Sequence, residues 1–361
     1  MAINAPEGTR DLLPDEALFW NQFKQTAAEV FGAYGYLPIE TPIMEQTELF
    51  VRGIGEATDV VSKEMFTAIS GENLRRWVEE GKAPKAKSRL SLRPEGTAGV
   101  VRAVVQHDLV PQGAAPAKLM YAGPMFRAER PQKGRQRQFN QVGVECLGAE
   151  EPTIDAEAII MLMRFYEKVG IPRDSMRLLL NSMGCEQCRP AYRELVRGLD
   201  YYTRTVFEVQ VDNGMGAQNA IGGGGRYDKL AEEVGGRPTP GLGFALGFER
   251  CVLALEAAGV EFPRAQKCDL FVACVDDSVR ARAFALVQEC RDAGFTTEMD
   301  HQKRSLKSQF KLADKLGAAR VAVLGPDELD AGEVTLRDMA THTEAKVRLE
   351  EVVGELGRAI S

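Results

Sequence analysis

The chain has 361 residues, of which 44% are hydrophobic, enough for a large core and for two domains. No early stretch joins basic residues to an apolar segment, and no apolar run approaches the roughly 20 residues that cross a bilayer, so neither a secretory leader nor a membrane span is expected and a soluble, cytoplasmic protein is. The formal net charge of -7 argues against a surface that is basic throughout, and seven cysteines, odd in number and mostly set in apolar sequence, fit reduced thiols rather than a disulfide framework.

Leu18, Phe19, Phe23, Ala27, Val30 and Phe31 recur at helical spacing and predict an amphipathic helix over 15–34, ended by the stretch 32–38. Short strands follow over 37–39 and 63–69. Residues 96–106 read as a helix behind the Pro94-Glu95-Gly96 turn. The basic run Lys82, Lys85, Lys87 and Arg89 falls in a polar loop before Leu90 and receives no function. Strands over 118–127 and 138–147 are joined by a polar, glycine-containing loop over 131–137, a connection suited to a mobile arm. Residues 153–169 form a strong helix. Strands over 176–181 and 205–211 then lead to the run Gly222-Gly223-Gly224-Gly225-Arg226-Tyr227. Four glycines in a row read as a turn whose backbone approaches a ligand or takes positive φ, or as a simple bulge.

Phe262, Pro263 and the polar residues after them mark a linker over 263–267, which separates residues 1–262 from 268–361. Beyond it strands over 269–275, 295–299, 320–324, 333–338 and 345–349 alternate with helices over 277–293, 305–316 and 350–358. That alternation predicts a small α/β domain with a largely parallel sheet. Lys303, Arg304, Lys307, Lys311 and Lys315 recur every three to four residues and lie mostly along one side of a helix, as a solvated face or an anion-binding one.

Two segments carry chemistry. Between Arg127 and Arg137 stand five basic residues and one acid, a local excess of +4 inside an acidic chain. Guanidinium forks match phosphate oxygens two at a time, so arginine favours phosphate recognition, the alternative being a solvated charged hairpin. Residues 197–208 bring Arg197, Asp200, Tyr201 and Tyr202 up to a strand, where they can converge on a small polar ligand.

These residues resemble the histidyl-tRNA synthetase family of class II aminoacyl-tRNA synthetases. Pro6-Glu7-Gly8-Thr9-Arg10-Asp11 is similar to the family's opening signature, and Leu92-Arg93-Pro94-Glu95-Gly96-Thr97 to its amino-acid-binding loop. Phe126 to Gln141 resembles class II motif 2, Arg197 to Glu208 the histidine-specific signature, and Gly241-Leu242-Gly243-Phe244-Ala245-Leu246-Gly247-Phe248-Glu249-Arg250 motif 3. All five stand in the family's order. The resemblance implies an α+β fold, a class II antiparallel sheet flanked by helices over 1–262, followed by a smaller α/β anticodon-binding domain over 268–361. It implies activation of histidine with ATP and Mg²⁺ and transfer to the 3′ end of histidine tRNA, with no protein-held metal cage. Catalysis of that kind rests on positioning and positive charge.

Carried over by position, Arg127 and Arg197 are the catalytic cations, at the α-phosphate and the substrate carboxylate. Arg250 packs on adenine and reaches the γ-phosphate, Glu129 holds adenine and Arg135 the outer phosphates. Glu95, Gly96, Thr97 and Gln141 form the loop and strand that receive the histidine ammonium. Glu145 and Tyr202 bracket the imidazole, with Tyr201 beside them. A neutral imidazole presents one donor and one acceptor, which a carboxylate and a phenol satisfy. Taken alone, Glu145 reads equally as a strand carboxylate paired with an arginine.

Two departures stand out. Asn140 replaces the histidine of many relatives and, by strand alternation, is expected to face away from the pocket. The larger one is that relatives carry a helical insertion domain, thought to clamp the tRNA acceptor stem, whereas here only Glu194, Leu195 and Val196 separate Arg193 from the histidine signature. Its absence puts transfer to tRNA in question more than adenylate formation. Cys185 and Cys188 form a CxxC pair with no second pair to complete a zinc site, and His107, His301 and His342 sit in no motif. A homodimer through motif 1, around residues 36–48 with Pro42, is implied. The rival is the regulatory subunit of ATP phosphoribosyltransferase, a histidine-sensing relative without catalysis. Arg127, Arg197, Arg250 and the C-terminal domain speak against it.

Overall fold

Phe19, Phe23, Ala27 and Phe31 recur every fourth residue, so one side of the first helix is apolar along its length. In the computed structural model, which describes residues 3–85, 88–182, 201–211, 215, 219–260 and 268–358, that stripe is the buried side of α1 (Pro14–Gly32). The chain divides into two units, residues 1–263 and 264–361.

After α1 the first unit runs through β1 (Leu37–Pro38), β2 (Met44–Gln46), α2 (Thr47–Ile54), a π-helical turn at Val60–Glu64, β3 (Thr67–Ala68), α3 (Gly71–Glu80), β4 (Leu90–Leu92) and α4 (Thr97–Gln106). It continues with β5 (Ala117–Phe126), β6 (Gln138–Leu147), α5 (Thr153–Val169), β7 (Met176–Ser182), β8 (Thr205–Val211), β9 (Ala220–Arg226), α6 (Leu230–Glu233), β10 (Gly241–Gly247) and α7 (Phe248–Ala257). Seven strands form one sheet in the order β1-β5-β6-β10-β9-β8-β7, antiparallel except for the β1–β5 pair. This is the antiparallel α+β arrangement that the resemblance implies. One face packs on α1 and α5, where Phe23 meets Phe165 edge to face at 4.9 Å and Phe31 meets Phe244 at 5.6 Å. Val100, Val101 and Val104 of α4 join Phe50 and Ile54 of α2 in a second cluster that includes Tyr121 and Met125 of β5.

The strand expected over 63–69 shrinks to Thr67–Ala68, because Val60–Glu64 coils as a π-helical turn instead. The glycine run is likewise no turn. Gly222 to Gly225 lie inside β9, hydrogen-bonded on both sides, and none has positive φ. What they supply is room. A Cβ on Gly224 would strike the Gly243 carbonyl and Phe244 backbone, and one on Gly222 the Tyr166 hydroxyl. α3 is not among the elements expected from the sequence: Leu74, Trp77 and Val78 recur there at helical spacing yet stand exposed, none of its ten residues being buried.

The second unit holds β11 (Leu270–Cys274), α8 (Arg280–Asp292), β12 (Thr297–Met299), α9 (Leu306–Lys315), β13 (Arg320–Leu324), α10 (Pro326–Ala331), β14 (Glu333–Asp338), β15 (Glu344–Arg348) and α11 (Val352–Arg358). Its sheet runs β12-β11-β13-β14-β15. β11 pairs in parallel with β12 and β13, and all five of its residues are buried, as a strand covered on both faces requires. The largely parallel sheet expected from the sequence is half realised: β14 and β15 are antiparallel. The few residues between them are too short a connection for a crossover. Lys307, Lys311 and Lys315 stand exposed on α9, while Lys303 and Arg304 precede it and pair with Asp277 and Asp300 at 2.7 and 3.0 Å.

The five described cysteines are buried free thiols. Cys185, Cys188 and the 194–196 junction lie outside the described residues, as does the 263–267 linker. Among the described residues no helix is long and apolar enough to cross a membrane, and the three histidines are exposed.

Candidate active site

β6 sends alternate residues to opposite faces of the sheet. Val142, Val144 and Cys146 join the core formed by α1 and α5, which leaves Gln141, Gly143 and Glu145 on the face that carries α4. Glu145 is completely buried there. Its Oε1 accepts the Thr97 hydroxyl proton at 2.7 Å and its Oε2 that of Tyr227. Burial dominates and lifts its pKa to about 8, against the opposing pull of those hydroxyls. Tyr227, Tyr121 and Tyr201 are buried around it, each phenol raised well above its ordinary range, chiefly by burial.

Four glycines make this crowding possible. Gly243 stands opposite Glu145 in the β6–β10 register, and a Cβ there would overlap the carboxylate. Gly241, two residues earlier on the same face, leaves space for the Tyr227 ring. Gly143, opposite Tyr121 on β5, and Gly96 both leave space for Tyr121. The Tyr202 ring rests on Gly225, 2.8 Å from where a Cβ would stand, and meets Tyr201 edge to face at 4.8 Å.

Glu95 caps α4. Its carboxylate accepts the backbone N–H of Thr97 at 2.6 Å and of Ala98 at 2.9 Å. Burial raises its pKa and these amides oppose that rise. The helix start therefore holds a carboxylate where its dipole favours one. Beside this cluster opens a cavity of about 590 Å³. Arg127, Glu129, Arg135, Gln141 and Arg250 line it, whereas Glu95, Gly96, Thr97, Glu145, Tyr201 and Tyr202 lie in the buried cluster behind.

Arg127 is the seam between the two. Its Nε donates to the Pro94 carbonyl at 2.9 Å, its guanidinium lies 5.3 Å from the centre of the Phe139 ring, and it senses Glu95 and Tyr201 electrostatically. Arg135 is held by Glu129 and, at 3.6 Å, by Glu64. Arg250 ties the loop to the sheet, donating to the carbonyls of Gly134 at 3.2 Å and Ala220 at 2.9 Å. Gln141 carries a buried carboxamide oxygen with no hydrogen-bond partner among the described residues. An orphaned acceptor of this kind suits an incoming N–H donor. Asn140 turns elsewhere, donating through Nδ2 and its backbone to Glu249 at 3.1 and 3.0 Å. Arg197 lies outside the described residues.

Sequence reasoning did not find Tyr227, Tyr121, Glu64 or Glu249. For Tyr227 and Tyr121 the signal was present: glycine at alternate positions of a strand means that a neighbour's bulky side chain fills the space. Glu64 stands on an element given no pocket role, and Glu249 falls within motif 3 beside Arg250 but was given no role of its own.

The chain matches the family model described as histidyl-tRNA synthetase over residues 8–185 and 194–251, and that described as anticodon binding domain over 269–358. It is 38% identical to a histidine–tRNA ligase of Desulforamulus reducens over 432 aligned positions, covering 98% of either chain, and 39% identical to that of Moorella thermoacetica, covering 98% of this chain and 97% of that one. Those 432 positions exceed the 361 residues present here, and the family match is itself interrupted between 185 and 194. Among solved structures, apo histidyl-tRNA synthetase of S. aureus superposes with a TM-score of 0.82 at 34% identity, covering 98% of this chain and all of that one. An ATP phosphoribosyltransferase regulatory subunit/histidyl-tRNA synthetase from Bacillus halodurans reaches a TM-score of 0.62 at 19% identity, over 83% of this chain and 93% of that one, a likeness of fold alone.

Proposed function

The chain belongs to the histidyl-tRNA synthetase family, and from that membership we propose how its residues divide the work of a class II histidine–tRNA ligase. Such an enzyme activates histidine with ATP and transfers it to tRNA. Residues 1–262 are the catalytic domain and residues 268–361 hold the anticodon arm of histidine tRNA. The observation that carries this reading is Arg127, set where the open, arginine-lined cavity meets the closed cluster around Glu145. One substrate reaches it from each side.

In the first step a histidine carboxylate oxygen bonds to the α-phosphorus of ATP, and the bond to the bridging oxygen breaks to release pyrophosphate. In the second the 3′-hydroxyl of tRNA attacks the histidyl carbonyl carbon and AMP departs. Both steps build negative charge on phosphate or carbonyl oxygens, which fixed cations stabilise without reorganisation. Arg127 and Arg197 supply that charge. Arg250 and Arg135 take adenine and the outer phosphates, Arg135 exchanging its hold on Glu129 and Glu64 for phosphate. Gln141 receives the ammonium, and Glu95, beyond capping α4, adds negative potential beside it. Glu145 reads the imidazole with Tyr201 and Tyr202 alongside. Mg²⁺ arriving with ATP neutralises phosphate charge. It needs only one or two carboxylates, a demand that Glu64, Glu129 and Glu208 at the cavity wall fit. The enzyme works in the cytoplasm as a homodimer paired around residues 36–48, where Ile43 and Met44 are exposed.

Histidine-dependent ATP–pyrophosphate exchange tests the reading. The parent chain is expected to exchange, and Arg127→Ala to lose on the order of 100-fold or more in kcat, as removal of one charge-stabilising donor does elsewhere. Exchange independent of Arg127 would remove it from the chemistry. Histidine binding with no exchange in the parent would favour the regulatory-subunit reading.

A further inference from the structure

The carboxyl of Glu145 has two oxygens, and both are engaged. Thr97 donates to one and Tyr227 to the other. Thr97 begins α4 and belongs to the loop already assigned to substrate. Tyr227 closes the glycine run but was given no role of its own, and several contacts hold it in place. It follows Arg226, which is 1% exposed. The Arg226 guanidinium donates from Nε to Asp155 at 3.0 Å, from Nη1 to the Ala149 carbonyl at 2.9 Å and from Nη2 to the Glu151 carbonyl at 3.0 Å. The Tyr227 backbone N–H donates to the Gly241 carbonyl at 2.9 Å. Its ring fills the space left by Gly241 and meets Tyr201 edge to face at 5.7 Å. The phenol thus has one direction in which to point, and Glu145 lies along it.

We propose that Tyr227 is a positioning residue for substrate reading: with Thr97 it donates to Glu145 from both sides, fixing the carboxylate as an acceptor that selects a ring N–H. A carboxyl left to itself in an apolar pocket can carry a proton and turn to become a donor. In the empty pocket burial still favours that proton, the two hydroxyl donors oppose it because each stabilises the ionised form, and an incoming ring N–H is the further donor that completes the acceptor. The remaining lone pairs then await a donor, and a ring that offers only an acceptor meets a mismatch. A site built to receive a hydrogen bond rejects an analogue lacking the donor far more strongly than shape alone can. The inference rests on the reading of this cluster as the histidine pocket.

Tyr227→Phe keeps the ring and removes the hydroxyl. Pyrophosphate exchange is measured with histidine and with 2-thiazolylalanine, a five-membered-ring analogue that has a ring nitrogen acceptor and no ring N–H. The variant is expected to raise KM for histidine on the order of 10-fold, the worth of one hydrogen bond to a charged group, with kcat and KM for ATP within about twofold of the parent. The ratio of kcat/KM for histidine to that for thiazolylalanine should fall by a similar factor. A merely structural role would weaken both amino acids alike and lower Tm, leaving the ratio in place, and that result overturns the proposal. Thr97→Val, which removes the opposite donor, should lower the ratio in the same way and decides the matter if Tyr227→Phe fails to fold. Glu145→Gln separates the premises: an unchanged histidine KM there sinks the pocket reading itself, whereas an impaired Glu145→Gln beside an unaltered Tyr227→Phe sinks only the role of Tyr227.

Discussion

Glu145 shows how one side chain can be shaped by several distant glycines. Its carboxyl fits only because Gly243 leaves space for it, the Tyr227 ring that donates to it only because Gly241 does, and its acidity follows from that burial. Burial raises its pKa from an ordinary 4.5 to about 8, so between those values the native state keeps a proton that the unfolded chain releases. The linkage sign is then fixed: the unfolded state binds fewer protons, and this group's contribution to stability declines as pH rises through the window from about 4.5 to about 8. Glutamine has no such proton to lose. Relative to the parent, Glu145→Gln should therefore gain stability from about pH 5 to about pH 8 and level off above that, whatever fixed offset the lost hydrogen bonds impose. Glu249, also raised by burial, titrates in both proteins and cancels, whereas Glu95 repels the Glu145 carboxylate and adds to the difference in the same direction. Urea midpoints at acid and alkaline pH would check this, and parallel pH dependences would mean that Glu145 is ionised in the native state throughout.

β9 carries the same logic from one residue to a strand. Glycine is a poor strand former, and a run of four reads from sequence as a turn. The strand persists because its neighbours β8 and β10 hydrogen-bond it on both edges, while Tyr166, Tyr202 and the close backbone of β10 take the space that Cβ atoms would occupy. Gly224→Ala is the sharpest probe, since its Cβ would meet backbone, which cannot swing aside. Overpacking of this kind costs about 1–3 kcal/mol, and the loss should appear in thermal unfolding of the first unit without selective change in histidine KM. A variant as stable as the parent would mean that β9 and β10 can part freely. The same strand marks how far sequence carries. Helices with recurrent apolar residues, such as α1 and α5, and the strand over 205–211 were legible because burial on one face imposes a pattern, and the strands over 138–147 and 320–324 because they are short apolar runs. The motif segments gave most of the site for a different reason: charge and glycine there serve a ligand rather than a core. What escaped was set by partners remote in sequence. Tyr227 acquires its role from Glu145, 82 positions away.

Between the two units the division of labour makes the missing insertion testable. On the reading proposed above, adenylate chemistry uses the cavity, Arg127 and the Glu145 cluster, which the first unit contains, and transfer also needs tRNA held by basic surface. Lys307, Lys311 and Lys315 follow one another at four-residue intervals, exposed along one side of α9, and no ion pair engages them among the described residues. Neighbouring Lys303 and Arg304 are already paired with acids, so these three lysines are the cations best placed to meet phosphate. Replacing all three by alanine should leave pyrophosphate exchange unchanged while raising KM for histidine tRNA in the charging reaction. For every phosphate that a lysine no longer neutralises, the dependence of log affinity on log salt should also become shallower by about 0.7–0.9. Both readouts are needed, because a helix disturbed by the substitutions would weaken tRNA binding without changing that slope in step with the charges removed. If charging and its salt dependence stay as in the parent, the lysines form a solvated face and tRNA is held elsewhere. If exchange falls as well, the second unit supports the chemistry itself and the division proposed for the two units is wrong.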